Sequence, residues 1–117
     1  MRYASRNQYF NAQFQMLTLE ETIEMLLNMN ANHPRTDIGE KVGLYIETKM
    51  FNFYKNVHGI DIAEQVFNTL KKYGLETIEK SSVKLPIIIE CFEKESLIRF
   101  GQLSDLPLVY LMFWNNP

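Results

Sequence analysis

A carboxylate and an ammonium two residues apart close an apolar run, Val42-Gly43-Leu44-Tyr45-Ile46-Glu47-Thr48-Lys49. Side chains alternate across a strand, so Tyr45, Glu47 and Lys49 share one face while Leu44 and Ile46 share the other. One charge of each sign therefore stands at the carboxyl end of a strand, where α/β proteins build their sites. The pattern alone fits a frayed strand end with two solvated charges equally well. The elements that would position the pair bear on the choice between these readings.

At 117 residues, with 46% hydrophobic and 13% aromatic side chains, the chain has the size and apolar content of one globular domain. A net charge of -2 and lysines scattered without a basic stripe exclude the usual footprint of nucleic-acid binding. Cys91 is the single cysteine, which rules out an internal disulfide or a cysteine-based zinc cluster and suits a buried thiol. The amino end carries no apolar h-region of a signal peptide, and no apolar run approaches the length that spans a bilayer. The composition is that of a soluble protein, and it indicates no compartment.

Thr18 followed by Glu21 matches a capping box, and Leu19, Ile23, Leu26 and Leu27 fall on one helical face. Asn28, Asn30, Asn32 and Pro34 end that helix, and a polar loop leads to the strand over 42–49. Residues 50–60, with Phe51, Phe53, Tyr54, Lys55, Asn56 and His58, read as a long aromatic loop. A second helix starts at Asp61, with Ile62, Val66, Phe67 and Leu70 on its buried face and Gly74 as its cap. Leu85-Pro86-Ile87-Ile88-Ile89-Glu90-Cys91-Phe92 reads as a strand buried on both faces. A short helix over 94–100 and a last strand over 108–113 follow. Helices alternating with strands predict parallel βαβ crossovers. The predicted class is α/β, a partial TIM (β/α)₈ barrel with about three parallel strands. A whole barrel takes roughly 250 residues, and a three-stranded piece leaves two apolar edges to cover.

The ordered set of motifs resembles the glycerophosphodiester phosphodiesterase family of metal-dependent TIM-barrel enzymes. Family members carry Val-Gly-Ile-Tyr-Pro-Glu-Ile-Lys where this chain has residues 42–49, and Gly-x-Asp-Ile where it has Gly59-Ile60-Asp61-Ile62. The Leu-Lys-Lys-Tyr-Gly helix end is present at 70–74. Glu90-Cys91-Phe92-Glu93 is similar to the family's Gln-(Ser or Cys)-Phe before an acidic helix start. Asp105-Leu106-Pro107-Leu108-Val109 resembles the opening of its next strand, and residues 14–21 resemble its Phe-x-Ile-Pro-Thr-Leu-Glu-Glu helix entry. The likeness runs through nearly the whole chain, which would be the central part of the domain over residues 1–117.

The resemblance implies that Glu47 is a metal-binding carboxylate for Ca²⁺ or Mg²⁺, and that Lys49 lies near the phosphodiester. A hard divalent cation takes oxygen ligands, polarising phosphoryl oxygens as a Lewis acid, and a lysine in the same site balances phosphate charge. Phe92 and the aromatics of 50–60 are candidates for the mouth of the substrate pocket, although rim packing suits the loop aromatics better. The family's proline is Ile46 here, and its glutamine is Glu90, a second carboxylate that could repel phosphate, add a metal ligand, or face helix packing. The family's His-Arg-Gly strand, Glu-x-Asp metal pair and second catalytic histidine have no counterpart in this sequence, nor do the last two strands. His33 and His58 do not align with the catalytic pair.

The intact enzyme is expected to release glycerol 3-phosphate and an alcohol such as choline or ethanolamine from glycerophosphodiesters, in glycerophospholipid metabolism. The 117 residues alone are expected to be inert, because one carboxylate holds a metal poorly and no general acid or base is in place. The alternative is a non-catalytic fragment whose open edges pair with a complementing barrel fragment or in a homo-oligomer. An independent phosphate-binding module is disfavoured, since no glycine-rich phosphate loop follows a strand.

Overall fold

A computed structural model describes residues 9, 13, 15–32 and 41–113. Five helices and three strands follow one another along these residues: α1 (Leu19–Asn32), β1 (Leu44–Glu47), α2 (Phe51–His58), α3 (Ile62–Lys72), α4 (Ile78–Lys84), β2 (Ile87–Cys91), α5 (Lys94–Leu103) and β3 (Leu108–Tyr110). The strands form one parallel sheet in the order β1-β2-β3. The fold is α/β with parallel strands in sequential order, consistent with part of a (β/α)₈ barrel.

Local signals account for α1 and α3. The Thr18 N–H donates to Glu21 Oε2 (2.8 Å) and the Glu21 N–H donates to Thr18 Oγ1 (3.2 Å), a reciprocal capping box. Ile23 and Leu26 then bury one face of α1. Asp61 caps α3 by accepting the Glu64 N–H (3.0 Å), and Gly74 closes it at φ 65°, a left-handed geometry that a side chain would strain. Lys72 to Glu20 (2.8 Å) and Tyr73 to Glu24 (2.6 Å) tie α3 to α1. At the start of β1, the Asn30 amide donates to the Val42 carbonyl (2.9 Å) and the Lys84 carbonyl (3.0 Å) and accepts the Val42 N–H (2.9 Å).

Three helical segments depart from the sequence reading. Residues 51–58 of the aromatic stretch are helix α2 rather than loop, closed by hydrogen bonds from the Gly59 N–H to the Lys55 carbonyl and from the Ile60 N–H to the Tyr54 carbonyl (3.1 Å each). Phe51 is its buried anchor. A short α4, absent from the reading, starts at Thr77, whose hydroxyl accepts the Lys80 N–H (3.3 Å). It ends at Leu85, as the residue before Pro86 must leave helical geometry. Helix α5 also runs on to Leu103, past Gly101.

The expectation that β2 is buried on both faces is also corrected. Ile87, Ile89 and Cys91 are buried, while Ile88 and Glu90 between them are half-exposed. The helices of the described residues pack on one face only, where Ile46, Leu70, Leu75, Leu97, Phe100 and Leu106 complete the core. The opposite face carries Tyr45, Glu47, Ile88 and Glu90 and has no helical cover among the described residues. In β1, close approach explains Gly43: a Cβ there would lie 3.0 Å from the Pro86 carbonyl oxygen, which accepts the Leu44 N–H (2.8 Å).

Candidate site at the carboxyl ends of the strands

Parallel pairing sets Tyr45 beside Ile88 and Glu47 beside Glu90. Alternation turns Tyr45, Glu47 and Glu90 to the uncovered face. The structure thus brings together Glu47, Lys49 and the unassigned Glu90. Lys49 Nζ lies 2.5 Å from Glu47 Oε1, with the lysine side chain 71% exposed and the glutamate 25% exposed. Desolvation, then the Glu90 charge and the hydrogen bond that Glu90 accepts, push the Tyr45 hydroxyl above its ordinary pKa. Glu47 is therefore matched by an ammonium, and Glu90 by a neutral phenol. Phe92, at the end of β2, is 39% exposed and stacks on Phe113 with centroids 4.5 Å apart and planes 15° from parallel.

Beneath this face lies a buried polar network. Thr48 Oγ1 and Ser96 Oγ are 2.9 Å apart, with the two residues 4% and 0% exposed. Cys91 Sγ donates to the Thr48 carbonyl (3.0 Å) and accepts the Glu93 N–H (3.2 Å). Cys91 is thus the buried thiol expected of it, at 1% exposure. The network ties the ends of β1 and β2 to the start of α5 directly behind Glu47 and Lys49.

The turn from β1 into α2 is strained. Met50 adopts φ 56°, ψ 37°, a left-handed conformation that costs a non-glycine residue about 1–2 kcal/mol. Helix α2 has no side-chain cap of its own. Glu93 supplies one, Oε1 accepting the Phe51 N–H (2.7 Å) and Oε2 the Asn52 N–H (2.9 Å). Glu93 has no legible role in the sequence, because a contact across 42 residues leaves no periodic trace. Further along, Arg99 Nε donates to Asp61 Oδ2 (2.8 Å). Desolvation raises the Asp61 pKa, but the Glu64 N–H and Arg99 outweigh it, so the carboxyl lies below its ordinary value.

His58 sits on α2 against the rings of Phe53 (5.4 Å) and Tyr54 (6.1 Å). His33 lies outside the described residues. Among the described residues no group of three or more His, Cys, Asp or Glu could hold a metal ion. Glu47, paired to Lys49, and the adjacent Glu90 do not fill the six or more oxygen positions of calcium, nor the octahedron of magnesium. These residues do not fit a self-sufficient metal centre. No helix among them is long and apolar enough to cross a membrane.

No protein-family model matches the chain, and no solved structure matches it. It is 31% identical over 117 residues to glycerophosphodiester phosphodiesterase GDPD6 of Arabidopsis thaliana, an alignment covering 95% of this chain and 29% of the relative. The chain spans less than a third of the length of that relative. It is therefore similar, through nearly all of its own residues, to one portion of a glycerophosphodiester phosphodiesterase.

Proposed function

We propose that residues 1–117 are part of a glycerophosphodiester phosphodiesterase domain, and that the open face of the sheet is its phosphodiester side. The observation that carries this reading is the placement of Glu47 and Lys49, side by side at the carboxyl end of β1 on the face the helices leave uncovered. The similarity to the Arabidopsis phosphodiesterase supports the same reading. Lys49 would balance phosphate charge, and Phe92 with its stacked partner Phe113 would form an apolar wall at the mouth. Glu47 would supply one carboxylate to a divalent metal, Ca²⁺ or Mg²⁺, whose other ligands come from beyond this chain. The product would be glycerol 3-phosphate with release of an alcohol.

The test is glycerol 3-phosphate release from glycerophosphocholine and glycerophosphoethanolamine. The native protein that carries this chain is expected to release it in a metal-dependent way, and the isolated 117 residues are expected to be inert. Absence of release from the native protein across both substrates and both metals would refute the enzyme reading.

One observation favours a second reading. The outer strands β1 and β3 have no further strand partner among the described residues, and Leu108, Tyr110, Met112 and Phe113 are exposed beside β3. A non-catalytic fragment completed by a complementing fragment or a second copy would bury them. A stable oligomer without phosphodiesterase activity would favour it.

A further inference from the structure

The end of β1 is tied to the end of β2 and the residues after it on both sides of Lys49 and Met50, the Thr48 N–H also donating to the Glu90 carbonyl (3.1 Å). Before them, the Thr48 carbonyl is held by the Cys91 thiol (3.0 Å). After them, the Phe51 and Asn52 N–H groups are held by the two oxygens of Glu93 (2.7 and 2.9 Å). Between these fixing points Met50 is the one described residue other than glycine with positive φ. The Lys49 side chain is 71% exposed with Glu47 as its ion-pair partner, and the backbone on either side decides where its flexible stem begins. Helix α2 does not organise that backbone by itself, because it brings no cap. It is nevertheless anchored at its first residue, Phe51, at 2% exposure. The chain passes from the end of β1 at Glu47 to the buried Phe51 across three residues, and Met50 takes its left-handed conformation immediately before that anchor.

We propose that Glu93 is a positioning residue for the site: by clamping the first two amides of α2 it holds Met50 in its left-handed turn and so directs Lys49 onto Glu47. This rests on the phosphodiesterase reading, in which Lys49 and Glu47 are the groups that meet phosphate and metal. The carboxylate suits the task because both of its oxygens accept. Glutamine has the same shape, but its amide nitrogen presents hydrogens to one of the two N–H groups. An ordinary cap would stabilise α2 as a whole and leave Lys49 unaffected. A positioning residue must act at Lys49.

The experiment compares wild type, Glu93→Gln, Met50→Gly and the double variant by NMR. It follows amide exchange at Phe51, Asn52 and Ile89, and the contact between the Lys49 ε-methylene and the Glu47 γ-methylene. Replacing one charge-assisted hydrogen bond with a repulsive contact is expected to speed exchange at Phe51 and Asn52 by about tenfold in Glu93→Gln. Ile89, in the centre of the sheet, is expected to change no more than about threefold, and the Lys49–Glu47 contact is expected to vanish. Exchange rising equally at Ile89, or a Lys49–Glu47 contact that persists, would overturn the proposal. Should Glu93→Gln not fold, the double variant decides, since glycine adopts the turn without strain. It is expected to fold yet still lack the contact, and a retained contact would overturn the proposal. Glycerol 3-phosphate binding separates the two claims. Loss of affinity in both Lys49→Ala and Glu93→Gln supports the pair. Unchanged affinity in Lys49→Ala sinks the phosphodiesterase reading, while the exchange pattern still decides the role of Glu93.

Discussion

The hydroxyl pair under the site makes the sharpest energetic prediction. Thr48 Oγ1 and Ser96 Oγ are 2.9 Å apart and closed off from solvent, at 4% and 0% exposure. Ser96→Ala removes one partner and leaves the Thr48 hydroxyl buried without a hydrogen bond, which costs about 1–3 kcal/mol. Thr48→Val swaps the other hydroxyl for a methyl of similar volume and strands Ser96 Oγ at a comparable cost of about 1–3 kcal/mol. The double variant strands nothing. It should lose only the net worth of one hydrogen bond, about 0.5–1.5 kcal/mol, so the two single losses should exceed the double by about 1 kcal/mol or more. Urea unfolding of the four proteins, followed by far-UV circular dichroism, measures this cycle, with an unchanged m value as the check on a common unfolded state. Strict additivity would refute the reasoning. So would a Thr48→Val protein as stable as wild type, which would mean that Ser96 satisfies itself on its own helix.

Further outcomes follow from the same geometry. The depressed Asp61 carboxyl contributes stability that is fully present above its unfolded value, near 3.8, and is lost as the pH falls through the lower folded pKa. Asp61→Asn should therefore flatten the fall in stability below about pH 4, as read by urea midpoints across an acid series; an unchanged slope would exclude Asp61 from acid unfolding. Gly43→Ala forces a Cβ to 3.0 Å from the Pro86 carbonyl oxygen and should cost about 1–2 kcal/mol, seen as a fall of several degrees in melting temperature. Phe100→Ala, at a fully buried position, should cost about 3–5 kcal/mol and loosen α5 from the sheet in hydrogen exchange, whereas Phe53→Ala, at 45% exposure, should cost far less.

What the sequence discloses and what it withholds divide along the reach of the interactions. Helices α1 and α3 are legible because Thr18 with Glu21 and Asp61 with Glu64 satisfy their first amides locally. The shared face of Tyr45 and Glu47 is legible because alternation in a strand is a local rule, whereas Lys49 lies beyond the end of β1. Helix α2 is not, because its cap arrives from Glu93 and its aromatic composition resembles a rim loop. Helix α4 is seven residues long and mostly polar, and only Thr77 with Pro86 beyond its end marks it. Three consecutive isoleucines in β2 conceal a half-open face, since composition cannot say which side helices cover. The Thr48–Ser96 pair spans 48 residues and has no sequence signature.

The proposed phosphodiester site depends on Glu47 at the open end of β1. Its most direct test is kcat/KM for glycerophosphocholine in the native protein that carries this chain, wild type against Glu47→Gln, with melting temperatures measured alongside. A fall of about a hundredfold or more, with little change in melting temperature, is the predicted result, equivalent to about 2.7 kcal/mol of transition-state stabilisation. A Glu47→Gln protein that turns over at the wild-type rate would contradict the central claim.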